Sequence, residues 1–286
     1  MNRILVKKEL APKIKLIEFD NRDIARKAKP GQFVVIQMGE RGERFPLTIS
    51  GTDPGTGIVR IIFNEVGKSS RRLGALAEGE EIGNVAGPLG NPTEIAKFGT
   101  VLCFGGGVMI GPMVYEVAAF KEAGNRVITV VGARNKELLI LRDEMKALSD
   151  KLYVSTDDGS DGYQGLDFLR DILEKEKVNR VIAMSVATAT LRKLCELTKP
   201  YGVKTIVSLT PIMLDATGMC GVCRVLVGGQ TKFTCVDGPE FDGHLVDWDL
   251  LESRKRIYSH EERISALLDE HVGKDVISRF RQIERR

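Results

Sequence analysis

The chain has 286 residues, of which 43% are hydrophobic and 28% are charged, as is typical of folded globular proteins. This length predicts two domains with room for a smaller appendage. The formal net charge of +3 is too small to indicate binding to nucleic acid or to an anionic membrane surface. The N-terminal segment lacks the apolar stretch of a secretory leader. We therefore expect a reducing, cytoplasmic location, in which the five cysteines bind metal or do redox work.

Residues 1–97 have the pattern of an antiparallel β-barrel domain. Short alternating or apolar runs predict strands at Lys13–Phe19, Phe33–Met38, Gly57–Phe63 and Glu81–Val85. Turn residues such as Pro30-Gly31 and Gly87-Pro88 separate these runs. Strands at this spacing favour a barrel or a sandwich.

Residues 98–209 alternate between predicted strands and predicted helices, which favours a parallel, doubly wound α/β domain. The strands are predicted at Val101–Phe104, Arg126–Val131, Leu152–Ser155, Val181–Ala183 and Thr205–Leu209. The helices are predicted at Met113–Ala123, Lys136–Ser149, Leu166–Lys177 and Leu191–Thr198. Glycines and Pro112 interrupt the apolar stretch from residue 101 to residue 120, so we do not expect a membrane-spanning helix there.

The last two segments differ from both domains. Residues 210–250 are rich in glycine and cysteine and show little periodicity. Residues 251–286 are highly charged but carry an apolar stripe from Ile264 to Ile283, which predicts a C-terminal helical extension. This stripe either docks on a partner or packs on the chain's own barrel.

A glycine-rich turn follows the first strand of the α/β domain. Gly105, Gly106, Gly107 and Gly111 precede or open a predicted helix that also contains Pro112. Such a turn lets backbone amides approach a pyrophosphate at the helix N-terminus. The spacing G-x-G-x-x-x-G differs from the dinucleotide fingerprint, so a plain tight turn is the alternative.

Two further polar residues follow neighbouring strands of this domain. Arg134 follows the second strand and Asp157 follows the third. Because ligands bind at the carboxyl edge of such sheets, we expect both residues to face a nucleotide. The alternatives are a solvated arginine and an ordinary Asp-Gly turn.

Two polar motifs stand in the predicted barrel. Residues 44–50 combine an arginine with a short strand that carries a hydroxyl, and residues 64–70 contain Gly67-Lys68-Ser69. Amides, hydroxyls and cations of this kind bind phosphate groups. Ile62 stands where a P-loop requires its first glycine, so we do not expect a nucleoside triphosphatase.

The cysteine-rich segment contains four candidate metal ligands, namely Asp215, Cys220, Cys223 and Cys235. Three thiolates do not complete a four-ligand site, and Asp215 is the nearest additional donor in the sequence. Glycines 218 and 221 allow the loop to aim amides at bridging sulfides. Structural zinc, with His244 as a possible ligand, and a Cys220–Cys223 redox disulfide are the alternatives.

The order of barrel, nucleotide domain and cysteine segment resembles the electron-transfer subunits of the ferredoxin–NADP+ reductase superfamily. The resemblance is most specific at residues 208–225 and 235–242. It is strongest to the small (alpha) subunits of NADH-dependent reduced ferredoxin:NADP+ oxidoreductases, also described as sulfide dehydrogenase subunits. The related subunits of dihydroorotate dehydrogenase have a cysteine where Asp215 stands.

This resemblance implies FAD, a 2Fe–2S cluster and NAD(H), rather than NADP(H), as cofactors. The residues that it implies for FAD are Arg44, Pro46, Leu47, Thr48, Ile62, Asn64, Gly67, Ser69 and Ser70. Those for the nicotinamide nucleotide are Gly105, Gly106, Gly107, Gly111, Pro112, Arg134 and Asp157. The implied cluster ligands are Asp215, Cys220, Cys223 and Cys235. Arg44 stands four residues before Thr48, one more than in the family motif, and residues 185–190 also depart from the family pattern.

The resemblance implies a flavin- and iron–sulfur-dependent oxidoreductase subunit without a catalytic acid, base or nucleophile of its own. Its expected partner is a larger subunit with FAD and 4Fe–4S clusters, in a heterodimer that bifurcates electrons between NAD+ and ferredoxin. One alternative is an electron-transfer subunit of another dehydrogenase, such as dihydroorotate dehydrogenase. The other is a zinc-stapled, nucleotide-binding regulatory module.

Overall fold

A computed structural model describes residues 2–39 and 42–265. Its strands are β1 (Ile4–Ala11), β2 (Ile14–Asp20), β3 (Phe33–Gln37), β4 (Arg44–Asp53), β5 (Ile58–Asn64), β6 (Asn84–Leu89), β7 (Thr100–Gly106), β8 (Arg126–Ala133), β9 (Lys151–Thr156), β10 (Tyr163–Gln164), β11 (Arg180–Ser185), β12 (Lys204–Ser208), β13 (Arg224–Val227), β14 (Gln230–Phe233) and β15 (Glu240–Asp242). Its α-helices are α1 (Arg22–Lys27), α2 (Lys68–Ala75), α3 (Ile110–Glu122), α4 (Arg142–Leu148), α5 (Leu169–Lys175), α6 (Thr188–Thr198), α7 (Thr234–Asp237) and α8 (Trp248–Lys255).

The first six strands form an antiparallel sheet in the order β1-β2-β5-β4-β3-β6. Alternate residues of these strands, such as Ile17, Phe19 and Ile61, are fully buried in one apolar core, as the two-residue period of a strand requires. The sheet is barrel-like but not closed. A single bridge between Arg3 and Glu81 joins its two edge regions.

The second sheet has the order β10-β9-β8-β7-β11-β12-β15. All neighbours pair in parallel except β12 and β15. Strands β7, β8 and β11 are almost continuously buried, as is usual for parallel strands covered by helices on both faces. The predicted combination of an antiparallel flavin-type barrel and a doubly wound α/β domain is thus confirmed. The antiparallel edge strand β15 was not predicted.

The helices are short, with α3 at 13 residues the longest of those described. Across residues 2–39 and 42–265, no helix has the length and apolar character needed to cross a bilayer. The helix predicted at Lys136–Ser149 is divided into a 3₁₀ turn at Lys136–Leu138 and helix α4. Leu141 separates the two pieces with a left-handed φ of 54°.

The cysteine-rich segment contains the β13–β14 hairpin and helix α7. It packs against strand β3 of the first sheet through Phe33 and Val35. Its last strand, β15, pairs with β12 of the second sheet, so the segment contacts both larger parts of the molecule. The apolar stripe predicted from residue 264 to residue 283 lies almost entirely outside the described residues.

Candidate functional site

The glycine-rich segment forms the end of strand β7 and the start of helix α3. A Cβ atom built on Gly106 would lie 2.9 Å from the Ser185 hydroxyl oxygen, and one on Gly105 would lie 3.0 Å from Ile110 Cα. Gly107 has a left-handed φ of 59°. Gly105 and Gly106 thus belong to the strand instead of a turn, and their missing side chains let α3 and β11 approach closely.

The carboxyl ends of strands β7, β8, β9 and β11 meet at this same edge, because these strands are parallel neighbours. Arg134 and Asp157 directly follow β8 and β9 there, and both are exposed. The Asp157 amide donates to the Ala133 carbonyl oxygen at 3.0 Å. The structure therefore brings these two residues and the glycines to one edge, which is where ligands bind in open α/β sheets.

The first turn of α3 packs directly on the barrel. A Cβ atom built on Gly111 would lie 2.8 Å from Ile62 Cδ1 and 3.1 Å from the Ser50 hydroxyl oxygen. Ser50 is 2% exposed, and its hydroxyl has no hydrogen-bond partner. Ser50 lies two residues beyond Thr48 on strand β4. The predicted flavin strand and the predicted nucleotide loop are thus in contact.

The residues predicted to contact a pyrophosphate in the barrel form the N-terminus of helix α2. Gly67 is the N-cap, and its amide donates to the Ser70 hydroxyl oxygen at 3.0 Å. The Ser69 hydroxyl donates to the Glu43 carboxylate. A cleft of about 200 Å³ lies beside them, lined by Met38, Gly42, Glu43, Lys68, Ser69 and Arg72. The cleft therefore combines two cations and a helix N-terminus, groups that bind phosphate, with the carboxylate of Glu43.

Asp215 organises the loop that carries the first predicted cysteine ligand. Its carboxylate accepts from the Thr217 amide at 3.0 Å and from the Cys220 amide at 2.8 Å. These two amides lower the pKa of Asp215, so the side chain is a carboxylate at neutral pH. The loop winds tightly because Gly218 and Gly221 have left-handed φ angles of 84° and 65°.

The other two predicted cysteine ligands stand together. Cys223 and Cys235 are both 2% exposed, and their sulfur atoms are 3.3 Å apart. Burial raises the pKa of the Cys235 thiol to about 12, and the neighbouring Cys223 adds to this shift. No disulfide joins them. Within the part of the chain that the structure describes, no three His, Cys, Asp or Glu side chains converge as a site for one metal ion.

A carboxyl pair, of which one member is fully buried and the other partly buried, was not identified as a site from the sequence. Glu116 on α3 is 0% exposed, and Glu240 lies on β15. The Thr93 hydroxyl oxygen is 2.6 Å from Glu116 Oε1 and 3.1 Å from Glu240 Oε1. One hydroxyl has a single hydrogen to donate, so the second contact needs a proton from a carboxyl group. Glu116 is the one charged residue between positions 101 and 120, which is the signal that could have revealed it.

Helix α8 connects the cysteine loop with the edge of the second sheet. The Arg254 guanidinium donates to the Val222 carbonyl oxygen at 3.0 Å. The Lys255 ammonium donates to the Val186 carbonyl oxygen at 2.8 Å and to the Thr188 hydroxyl at 3.1 Å. Burial lowers the pKa of Lys255. Because α8 lies after the cysteines in a charged segment, its contacts could not be read from motif spacing.

Comparison with protein families identifies the cysteine-rich segment. Residues 210–247 match the iron–sulfur cluster binding domain of dihydroorotate dehydrogenase B. The match spans all four predicted ligand positions, and it confirms the prediction that the chain binds an iron–sulfur cluster.

Similar proteins cover nearly the whole chain. The dihydroorotate dehydrogenase B (NAD(+)) electron transfer subunit homolog of Thermotoga maritima is 47% identical, covering 90% of this chain and 93% of the relative. The corresponding electron transfer subunit of Fusobacterium nucleatum is 33% identical, covering 74% and 84%. One chain of the solved NADH-dependent reduced ferredoxin-NADP oxidoreductase is 44% identical and superposes with a TM-score of 0.86, covering 93% and 96%.

A more distant structure shares the fold alone. Phthalate dioxygenase reductase is 16% identical and superposes with a TM-score of 0.57, covering 88% of this chain and 79% of that one. The full-length similarity, the match at the cysteine segment and the two-sheet architecture agree with one another. The chain therefore belongs to the family of dihydroorotate dehydrogenase B electron-transfer subunits and their homologues.

Proposed function

We propose that this chain is an oxidoreductase subunit that carries electrons between a pyridine nucleotide and a larger partner subunit. The observation that carries the proposal is that the glycine-rich loop and the paired cysteines both pack on the barrel-like sheet. Gly111 of the nucleotide loop packs on the barrel, and the paired cysteines pack on strand β3 of the same sheet. When bound, a flavin exchanges a hydride with the nicotinamide and single electrons with an iron–sulfur cluster.

The barrel residues fit a bound FAD. Strand β4 would present Arg44, Pro46 and Thr48 to the cofactor, while Leu47, whose side chain packs on the barrel core, would contact it through its backbone. The orphaned Ser50 hydroxyl supports a polar group near this part of the strand. Gly67, Ser69 and Ser70 would bind the pyrophosphate beside the cleft that Lys68 and Arg72 line. Ile62 and Asn64 would complete the site from strand β5.

The edge of the second sheet fits a dinucleotide. Gly105 and Gly106 are buried and let α3 and β11 pack closely, Gly107 leaves the backbone partly accessible after them, and Gly111 and Pro112 belong to the first turn of α3. Arg134 and Asp157 would contact the ribose or phosphate from the neighbouring strands. We propose NAD(H) as the nucleotide, and the NAD(+) in the name of the Thermotoga maritima relative supports this choice.

The cysteine segment fits a 2Fe–2S cluster better than one metal ion. In such a cluster each iron takes two protein ligands. Two sulfur ligands of one tetrahedral metal lie about 3.8 Å apart when the metal–sulfur distance is about 2.3 Å, and the Cys223–Cys235 distance of 3.3 Å is close to this. Asp215 and Cys220, joined through the Cys220 amide, would serve the second iron. A single zinc ion would instead require all four ligands to converge.

For the partner, we propose a larger subunit with FAD and 4Fe–4S clusters in a heterodimer that bifurcates electrons to NAD+ and ferredoxin. The similarity to a chain of the solved NADH-dependent reduced ferredoxin-NADP oxidoreductase supports this proposal, as does the carboxylate at position 215. A dihydroorotate dehydrogenase catalytic subunit is the second candidate, because the Thermotoga maritima relative is described as a homolog of such electron-transfer subunits. The subunit that co-purifies with the chain distinguishes these two assemblies.

The decisive experiment is elemental analysis of the full chain purified without oxygen. We expect about two irons per chain, no zinc and one bound flavin. Cys223→Ser should lose the iron, whereas Cys195→Ala, which changes a buried cysteine on α6, should retain it. Stoichiometric zinc without iron would remove the one-electron step and leave the chain as a nucleotide-binding module with a structural metal.

A further inference from the structure

Two buried side-chain donors in the cysteine region have no hydrogen-bond partner. Over the described ranges, only Ser50, Glu116, Thr234 and Arg254 contain a buried side-chain polar atom in this condition. Thr234 and Arg254 belong to the region that holds the predicted cluster ligands. Buried polar groups are nearly always satisfied in folded proteins, so an unpaired donor next to a proposed cofactor site points to an acceptor on that cofactor.

Thr234 stands between the two paired cysteines. It directly precedes Cys235, and its amide donates to the Cys223 carbonyl oxygen at 3.2 Å. The residue is 0% exposed, so its unpaired hydroxyl is enclosed at the position directly before Cys235. A deprotonated thiolate or a bridging sulfide is a better acceptor than a neutral thiol, because it carries negative charge.

Arg254 reaches the same place from helix α8. Its Nη2 atom donates to the carbonyl oxygen of Val222, the residue before Cys223, while its Nε–H is buried without a partner. In the part of the molecule that is described, no carboxylate forms an ion pair with Arg254. The guanidinium therefore brings an uncompensated positive charge to the peptide that leads into Cys223.

We propose that Thr234 and Arg254 are positioning residues that set the reduction potential of the iron–sulfur cluster. The inference rests on the proposed function and adds two residues to it. Reduction adds one negative charge to the cluster, so a hydroxyl donor and a nearby cation stabilise the reduced state more than the oxidised state. Both residues therefore raise the potential.

Redox titration of the cluster, followed by electron paramagnetic resonance on the anaerobically purified full chain, tests this proposal. Thr234→Val removes the hydroxyl at nearly constant shape, Thr234→Ser keeps it, and Thr231→Val is the control on the exposed part of the same hairpin. We expect Thr234→Val to shift the reduced-to-oxidised ratio at fixed potential roughly tenfold towards the oxidised form, the effect of one hydrogen bond to a charged group. This equals about 59 mV for a one-electron couple.

A second set of variants keeps the test decisive if Thr234→Val loses its iron. Arg254→Gln should also lower the midpoint potential. Arg254→Lys keeps the positive charge and should have a midpoint potential close to that of the wild type. Arg256→Gln is the control, since Arg256 is exposed and pairs with Glu252. A wild-type midpoint potential in Thr234→Val would overturn the proposal. If Thr234→Val holds no cluster, a wild-type midpoint potential in Arg254→Gln would overturn it. Absence of iron from the wild-type chain would refute the proposed function instead.

Discussion

The carboxyl pair of Glu116 and Glu240 makes the stability of this protein depend on pH in an unusual direction. Burial, followed by the charge of Glu240, raises the pKa of Glu116 well above 4.5. Burial also raises the pKa of Glu240 above 4.5. The third titratable group facing this site is the Cys103 thiol. Burial, followed by the charges of the two carboxyl groups, raises the pKa of this thiol well above 9.0. It therefore stays neutral while the carboxyl pair titrates.

The sign of the effect follows from these two shifts. Between pH 4.5 and the raised pKa values, the folded chain holds protons that the unfolded chain has released. The free energy of unfolding therefore falls as pH rises through this interval. Each proton held in this way costs about 1.4 kcal/mol of stability per pH unit.

Denaturant unfolding of the full chain at fixed ionic strength, measured at intervals between pH 5 and pH 8, tests this prediction. The Glu240→Gln variant should lose part of the decline, because it removes one of the two titrating carboxyl groups and the charge that adds to the effect of burial on Glu116. Glu122→Gln changes an exposed residue of the same helix and should keep the wild-type slope. A wild-type stability that is constant or rises across this range, in parallel with that of Glu240→Gln, would refute the reasoning.

Three further predictions concern the proposed electron path. Asp215→Cys should retain iron but change the midpoint potential of the cluster, and an unchanged potential would argue against Asp215 as a ligand. Lys255→Met should weaken NADH binding several-fold in a fluorescence titration, because it removes the hydrogen bond to the Val186 carbonyl oxygen at the edge of the second sheet. The control variant Arg256→Gln should bind NADH like the wild type. Removal of residues 266–286 should abolish co-purification with the partner while the chain stays folded. A cut after Leu250 is a poorer test, since it removes the buried Leu251.

The sequence was sufficient to predict those elements in which the hydrophobic pattern and the flanking turn residues indicate the same boundaries. The centre of the α/β sheet was predicted within a few residues, because β7, β8 and β11 are apolar runs with turn residues at their ends. The segment of residues 136–149 was not, since its helical periodicity continues across Leu141, where the backbone turns left-handed. That conformation depends on tertiary packing and leaves no local signal.

Pairings between distant segments were beyond the same reasoning. Strand β15 has three residues, which are too few to show an alternating pattern. It forms because its backbone pairs with strand β12 of the second sheet. The spacing of the cysteines suggested a metal site but could not show that Cys223 and Cys235 would pair. The Glu116–Glu240 pair joins residues from separate segments through Thr93, and only the folded topology brings them together.

The outer face of the barrel explains why three proposed sites lie so close together. Strand β3 points Val34 and Ile36 into the barrel core, while Phe33 and Val35 pack on the paired cysteines. Strand β5 likewise points its other face at α3 through Ile62. Successive residues of a strand face opposite sides, so an isolated barrel would have polar residues at these outer positions. Their apolar character therefore indicates that this sheet is covered on its outer side. The elements that cover it carry the proposed nucleotide and cluster sites, so both adjoin the sheet that would bind the flavin.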